Sequence, residues 1–350
     1  MTYKLNSTSI RLEASTACQL RCPSCPTAKG EIQRSIGTGY LKFKDFKKLV
    51  DQNWWLKYIE LSNWGEIFLN PELLDILKYA HEKKISLAAG NGANLNNVRE
   101  EVLEGLVKYG FRQITCSIDG ASEETYQVYR VNGHFNAVME NIKRINSFKD
   151  KYQSKYPKLT WQFVVFGHNE HELPIARKMA EELDMGFRSK LSWDERFSPV
   201  RDEGFVRKES GLGVASSDEF LEKNGTKYLQ KECCQGLWDL PQINFDGKVL
   251  GCCVNYWGDF GNAFESGLVE ALNGEKMKYA KKMLMGKAEA RADIPCSVCH
   301  NYLDMKKSKA WITAQDIKKP FRVIKNPLIA VWKGLLKNKA FKKSLLRRVK

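Results

Sequence analysis

The chain has 350 residues, 43% of them apolar and 28% charged, which is enough to fill an ordinary buried core and excludes a disordered or collagen-like polymer. The formal net charge of +15 points at first to nucleic acid, yet residues 317–350 hold twelve Lys or Arg and no Asp or Glu. The first 316 residues carry 44 basic against 41 acidic side chains, so the charge describes a C-terminal tail and leaves a nearly neutral body. The first apolar stretch is broken by Lys4, Asn6 and Arg11, so no secretory signal is expected. Ten cysteines in a reducing cytoplasm then read as metal-binding or redox groups rather than disulfides.

In chain order, a strand over 9–15 leads into Cys18, Cys22 and Cys25, spaced by three residues and then two. A helix over 42–52 and a strand over 57–62 follow, and the strand runs into Asn63-Trp64-Gly65-Glu66. Asn70 as N-cap and Pro71 at the first helical position open a helix over 71–83. The strand over 85–89 ends at Asn91-Gly92, a helix covers 96–109, and the strand over 112–118 runs into Asp119-Gly120. Helices over 122–130 and 135–149, a strand over 159–166, a helix over 170–184 and a strand over 186–191 complete six β/α units. Such alternation predicts a parallel sheet with helices outside it and chemistry at the carboxyl ends of the strands.

Residues 192–232 are polar and glycine-bearing, which predicts a connection and a domain boundary. Beyond it, segments 242–244 and 248–251 flank the turn Asp246-Gly247 as a β-hairpin, and a helix over 267–286 precedes Cys296 and Cys299. The expected division is a core domain over 1–225, a small domain over 226–305 and a basic tail over 306–350. In the tail, Asn326-Pro327 opens a helix with Leu328, Val331, Trp332, Leu335 and Leu336 on one face. Peripheral contact with an anionic membrane and packing on the body both fit that stripe; nucleic-acid binding ranks below them.

Three thiolates on one short loop can seat a four-iron cluster and leave one iron without a protein ligand. The rival arithmetic is a zinc site made from Cys22 and Cys25 with Cys296 and Cys299. Cys233, Cys234, Cys252, Cys253, Cys296 and Cys299 form a second set of six, while Cys116, inside a strand, reads as a small core residue.

Over residues 9–303 these motifs resemble the radical S-adenosylmethionine (SAM) superfamily, whose signature is the Cys18, Cys22, Cys25 spacing. The resemblance implies a partial (β/α)6 barrel, a four-iron cluster on those cysteines, and SAM bound at the open iron. Gly65 and Glu66 resemble the family motif whose acid receives the SAM amino group. By the same likeness Ser117 contacts the ribose and Arg130 the carboxylate, and Asn91 either holds a ribose hydroxyl or stabilises a turn. Ser24 replaces the aromatic residue common before the third cysteine, which moves adenine packing elsewhere, with Val165 and Phe166 as the expected neighbours. The downstream set resembles the SPASM/twitch type of auxiliary-cluster domain in its one-cluster form, which implies Cys234, Cys252, Cys296 and Cys299 as ligands, with Cys233 and Cys253 as the alternatives within each doublet.

The implied activity is hydrogen abstraction by a 5′-deoxyadenosyl radical from a hydroxylated small molecule, a sugar or aminocyclitol. A flavodoxin or ferredoxin would supply the electron and the second four-iron cluster would accept one. Modification of a peptide or protein side chain is the rival enzyme reading, weighed against the eight residues before the first strand. Redox-neutral epimerisation and a zinc-stabilised adaptor for membrane or RNA also stand open. For a base, His134, His168, His171, Asp119 and Tyr126 all fall near strand-following loops.

Overall fold

A computed structural model describes residues 8–318, so the tail helix expected from Asn326 onward lies outside the described residues. Six parallel strands lie side by side in chain order: β1 (Ser9–Leu12), β2 (Tyr58–Glu60), β3 (Ser86–Ala93), β4 (Gln113–Ser117), β5 (Lys158–Val165) and β6 (Gly186–Leu191). The helices between them are α1 (Glu31–Ile36), α2 (Phe43–Gln52), α3 (Leu73–Glu82), α4 (Glu100–Lys108), α5 (Glu123–Tyr129), α6 (Phe135–Lys151) and α7 (Leu173–Glu182). This is the expected open (β/α)6 arrangement.

Alternation along each strand sorts the side chains. Ile10, Leu12, Ile59, Leu87, Ile114, Cys116, Trp161 and Phe163 are buried in the main core between sheet and helices. Each fully buried Leu, Ile or Phe contributes about 1.5–3 kcal/mol of transfer free energy. Cys116 is thus a core residue. The intervening positions face the inside of the barrel, where the register pairs Arg11 with Glu60, Ser117 with Gln162, and Gln162 with Arg188. Helix α3 shows the outer face: Leu73, Ile76, Leu77 and Ala80 recur at helical spacing and are buried.

Helix α3 starts two residues later than its sequence suggests. The Asn70 side-chain oxygen accepts from the Glu72 backbone N–H at 2.8 Å, and its amide donates to Ala14 and Leu41, so it caps a turn before the helix proper. The stretch read as an aperiodic connection contains α8 (Glu203–Glu209) and α9 (Ser217–Asn224). Their N-caps Asp202 and Ser216 accept from Phe205 and Glu219, which stabilises helices too short to show periodicity.

Next, α10 (Gln230–Asp239) carries Cys233 and Cys234, and β7 (Gln242–Ile243) turns into β8 (Val249–Gly251) as an antiparallel hairpin. Strand β7 also pairs in parallel with β1, so the hairpin continues the barrel sheet to eight strands. The single helix expected over 267–286 is broken at Gly274 into α11 (Leu268–Asn273) and α12 (Glu275–Leu284). Cys296 and Cys299 then precede α13 (His300–Ser308). No helix among the described residues is long and apolar enough to cross a membrane.

Candidate active site

The cysteine loop leaves β1 at the carboxyl edge of the sheet. Leu20 and Cys22 are buried against Tyr129 and Phe166, with Cys18, Cys25 and Val164 packed around them. Val165 has the other parity and lies in the main core, so of the two expected adenine neighbours only Phe166 reaches this face. The Cys25 N–H donates to the Cys22 carbonyl at 3.0 Å, and the Asn94 amide approaches the Cys18 sulfur at 3.9 Å. Burial pushes the Cys18 thiol up to about 12 and raises Cys22 as well, while the Arg130 charge opposes the rise at Cys22. Iron ligation, which needs thiolates, offsets that burial cost. Ser24 donates to Asp194 at 2.7 Å and ties the loop to the segment after β6.

The turn after β2 is held from beneath. The buried Glu13 accepts from the backbone N–H of Trp64 at 3.0 Å and of Gly65 at 3.3 Å, and burial pushes its carboxyl up to about 8. Gly65 has no room for a side chain: a Cβ there would stand 2.2 Å from the Ser15 carbonyl oxygen and 2.7 Å from that of Ala17. Glu66 follows, 3% exposed, accepting from Phe68 at 3.2 Å and from the Asn94 N–H at 2.7 Å. Burial raises its carboxyl to about 7 and its charge reaches Cys18. A buried acid of this kind beside the cysteine loop fits a ligand ammonium.

Ser117 is buried at the end of β4, and Gly92 passes so close that a Cβ would fall 2.6 Å from its hydroxyl. Arg130 lies at the end of α5, with Nε 2.7 Å and Nη2 2.6 Å from Asp119 Oδ2 and Nη1 3.7 Å from the Cys22 sulfur. Asn91 sits at the rim; its side chain donates to Asn63 at 2.7 Å. Glu66 and Arg130 thus converge on the cysteine loop, whereas Asn91 stands with the Ser62–Asn63 edge.

Sequence reasoning missed Gln19 and Asn94. The Gln19 amide donates to Asn94 at 2.9 Å, linking the loop to Glu66 through one polar hub. An Asn-x-Asn pair after β3 is its sequence trace.

Four of the five base candidates are engaged by other side chains. Asp119 is held by Arg130, and the Tyr126 hydroxyl accepts from Asn96 at 2.9 Å. His168 stacks on Phe166 and bonds Ser198 at 2.9 Å, and burial lowers it to about 4, so it is neutral. His134 is exposed beside Glu123, and His171 is exposed.

Downstream, Cys234, Cys252, Cys296 and Cys299 line one cavity together with Leu250, Phe260 and Tyr302. Cys233 and Cys253 lie outside it. They hydrogen-bond to each other, which holds Cys253 low against its burial, and Arg11 adds a further bond and its charge. The split follows from geometry: on a helix neighbouring side chains diverge by about 100°, so Cys233 and Cys234 face different ways. The zinc arithmetic fails because Cys296 and Cys299 pack with Cys234 and Cys252, while Cys22 and Cys25 pack against Tyr129 and Phe166. Among the described residues no three His, Cys, Asp or Glu side chains converge as a single metal ion requires. A four-iron cluster binds each thiolate at a separate iron.

Residues 12–175 match the model of the radical SAM superfamily, and residues 233–301 match that of an iron–sulfur cluster-binding domain, SPASM. A curated relative, the AdoMet-dependent heme synthase of Methanosarcina barkeri, is 26% identical over 136 residues. The match covers 38% of each chain, well under two thirds of the relative's length. The structure of Streptococcus suis SuiB bound to S-adenosylmethionine superposes with a TM-score of 0.60 at 13% identity, covering 89% of this chain and 77% of that one. BtrN in complex with AdoMet and 2-DOIA gives 0.48 at 14% identity, covering 84% and 93%. The chain thus joins a radical SAM domain to a C-terminal SPASM iron–sulfur cluster-binding domain, the combination of a radical SAM enzyme that uses SAM and iron–sulfur clusters.

Proposed function

We propose that the protein abstracts hydrogen from a C–H bond of a hydroxylated small molecule held inside the barrel and oxidises that carbon to a ketone. The observation that carries the reading is the polar inner face of the sheet: Arg11, Glu60, Ser117, Gln162, Arg188 and Lys190 share it, while Ile10, Ile59, Cys116, Trp161 and Phe163 pack into the core on the opposite face. Such an interior suits a compact polar substrate better than an apolar one.

When bound, SAM and its cluster supply a 5′-deoxyadenosyl radical, and the auxiliary cluster accepts an electron. Cys18, Cys22 and Cys25 hold the first four-iron cluster, and Cys234, Cys252, Cys296 and Cys299 hold the second. Glu66 receives the SAM ammonium, with its carboxylate oriented by the Phe68 and Asn94 N–H groups. Arg130 presents Nη1, the edge not taken by Asp119, to the SAM carboxylate, and Ser117 meets the ribose. Gly65 lets the chain pass close beneath. The substrate loses a hydrogen atom, a hydroxyl proton and one electron, a net two-electron oxidation. The reductant is a flavodoxin or ferredoxin.

The test is anaerobic incubation of the reconstituted protein with SAM and dithionite, followed by chromatography for 5′-deoxyadenosine. Its release, accelerated by a polyol panel and accompanied by a ketone product, supports the reading. No 5′-deoxyadenosine overturns it, and acceleration only by peptides transfers the substrate assignment to a peptide side chain.

A further inference from the structure

The barrel interior holds more cationic hydrogen-bonding capacity than its own acids consume. Arg188 and Lys190 alternate along β6 and so share its inner face, where the register sets them beside Gln162 and Val164 of β5. Arg188 donates through Nη2 to Gln162 Oε1 at 2.5 Å, and its Nε is buried without any partner. Lys190 is half-buried, and among the described residues neither cation forms an ion pair with a carboxylate. Asp119, whose charge reaches Lys190, is already held by Arg130.

Arg11 faces them from β1. It is 6% exposed, and its Nε also lacks a partner. Cys253 lies between the two sides, bonded to Arg11 and within electrostatic reach of Lys190. Glu60 is the acid paired in register with Arg11, yet its oxygens already accept from Ser62, Tyr58 and the Gly90 N–H. Burial and the neighbouring Arg188 lower Lys190, while Cys233, Cys253 and Asp119 oppose that shift without forming an ion pair with it. Buried guanidinium N–H groups without acceptors are costly unless a ligand supplies the acceptors.

We propose that the substrate carries an oxyanion, a carboxylate or phosphate, which docks on Arg188 and Lys190 with Arg11 facing it across the interior. Arginine supplies a planar fork and lysine a point charge, a pairing suited to either group. This deepens the preceding functional reading and rests on it: the hydroxylated substrate becomes an acidic or phosphorylated polyol, and a free aminocyclitol, being cationic, is disfavoured.

The experiment is equilibrium dialysis of radiolabelled inorganic phosphate, and separately of acetate, against the full chain with its clusters reconstituted and SAM bound, at constant ionic strength. SAM is present so that its own carboxylate cannot account for the site. The expected result is one saturable oxyanion per chain, bound at least tenfold more weakly in Arg188→Gln and Lys190→Gln. Lys190→Arg should retain it, as should Lys158→Gln at the exposed start of β5. Whichever probe binds more tightly assigns phosphate or carboxylate. Iron and sulfide content reports folding of each variant, and the Lys190→Arg and Lys190→Gln pair carries the test if Arg188→Gln loses its clusters. No saturable binding, binding indifferent to both Gln variants, or binding only without SAM overturns the proposal. 5′-Deoxyadenosine release under dithionite is read in parallel: its absence overturns the radical chemistry, whereas its presence without oxyanion binding overturns only the anion site.

Discussion

The Arg130 guanidinium is clamped to Asp119 through two N–H groups, at 2.6 and 2.7 Å from one carboxylate oxygen, and turns its third nitrogen to the Cys22 sulfur at 3.7 Å. The other Asp119 oxygen accepts from the Val164 N–H at 2.7 Å, so one buried acid joins β5, the end of α5 and the cysteine loop. Burial pushes the Asp119 carboxyl up and the guanidinium opposes that rise; the contacts are those of an ionised pair. Replacing Asp119 with Asn leaves a mostly buried cation without its partner. The expected loss is about 3–5 kcal/mol, measured by anaerobic urea denaturation. A loss below about 1 kcal/mol would contradict a structural ion pair at this position.

Glu66→Gln keeps the size but only one of the two oxygens that accept from Phe68 and Asn94, and it removes the charge proposed to meet the SAM ammonium. SAM affinity, measured by equilibrium dialysis of the reconstituted protein, should fall at least tenfold with iron content unchanged. Equal affinity in the two proteins would assign the amino group elsewhere.

The two cysteine doublets should behave oppositely within each pair. Cys234→Ala or Cys252→Ala removes a wall of the four-cysteine cavity and should cost the auxiliary iron, about four atoms per chain. Cys233→Ala and Cys253→Ala, outside the cavity, should keep it. Iron analysis in which the Cys233 or Cys253 variant loses the metal instead would reverse the assignment.

Glu13 gives a pH signature. Its carboxyl is raised in the folded chain from 4.5 to about 8, so the fold favours the protonated form. Its contribution to stability is full below about pH 4.5 and is lost as pH rises through about 8, because the folded state binds the extra proton in that window. Glu13→Gln, neutral at every pH, should therefore lose less thermal stability than the native protein between pH 5 and pH 8. Parallel melting curves over that range would show that Glu13 does not titrate this way.

The fold was largely readable because each β/α unit is a local pattern: the six inner strands, the Asp246-Gly247 hairpin and helices α2 through α7 follow from apolar periodicity and turn chemistry. What escaped was non-local or too short to be periodic. Pairing of β7 with β1 joins residues more than 200 positions apart, which no window along the chain can register. Helices α8 and α9 rest on caps, and Gly274 divides α11 from α12 where composition alone suggested one helix. Strand parity decided the aromatic neighbour of the cysteine loop, bringing Val164 and Phe166 to it and turning Val165 away. The cysteine groupings were visible as spacing, and the cavity gathers the same four downstream thiols. The cations of β6 were legible as alternate positions, Arg188 and Lys190, but only the assembled sheet shows that their face is the interior.

The most direct test is iron and acid-labile sulfide per chain after anaerobic reconstitution, for the native protein and for a variant with Cys18, Cys22 and Cys25 all changed to Ala. About eight irons and eight sulfides falling to about four of each would bear out two four-iron clusters, one of them on the loop beside Glu66 and Arg130. An unchanged count, or zinc with negligible sulfide in both proteins, would contradict the account.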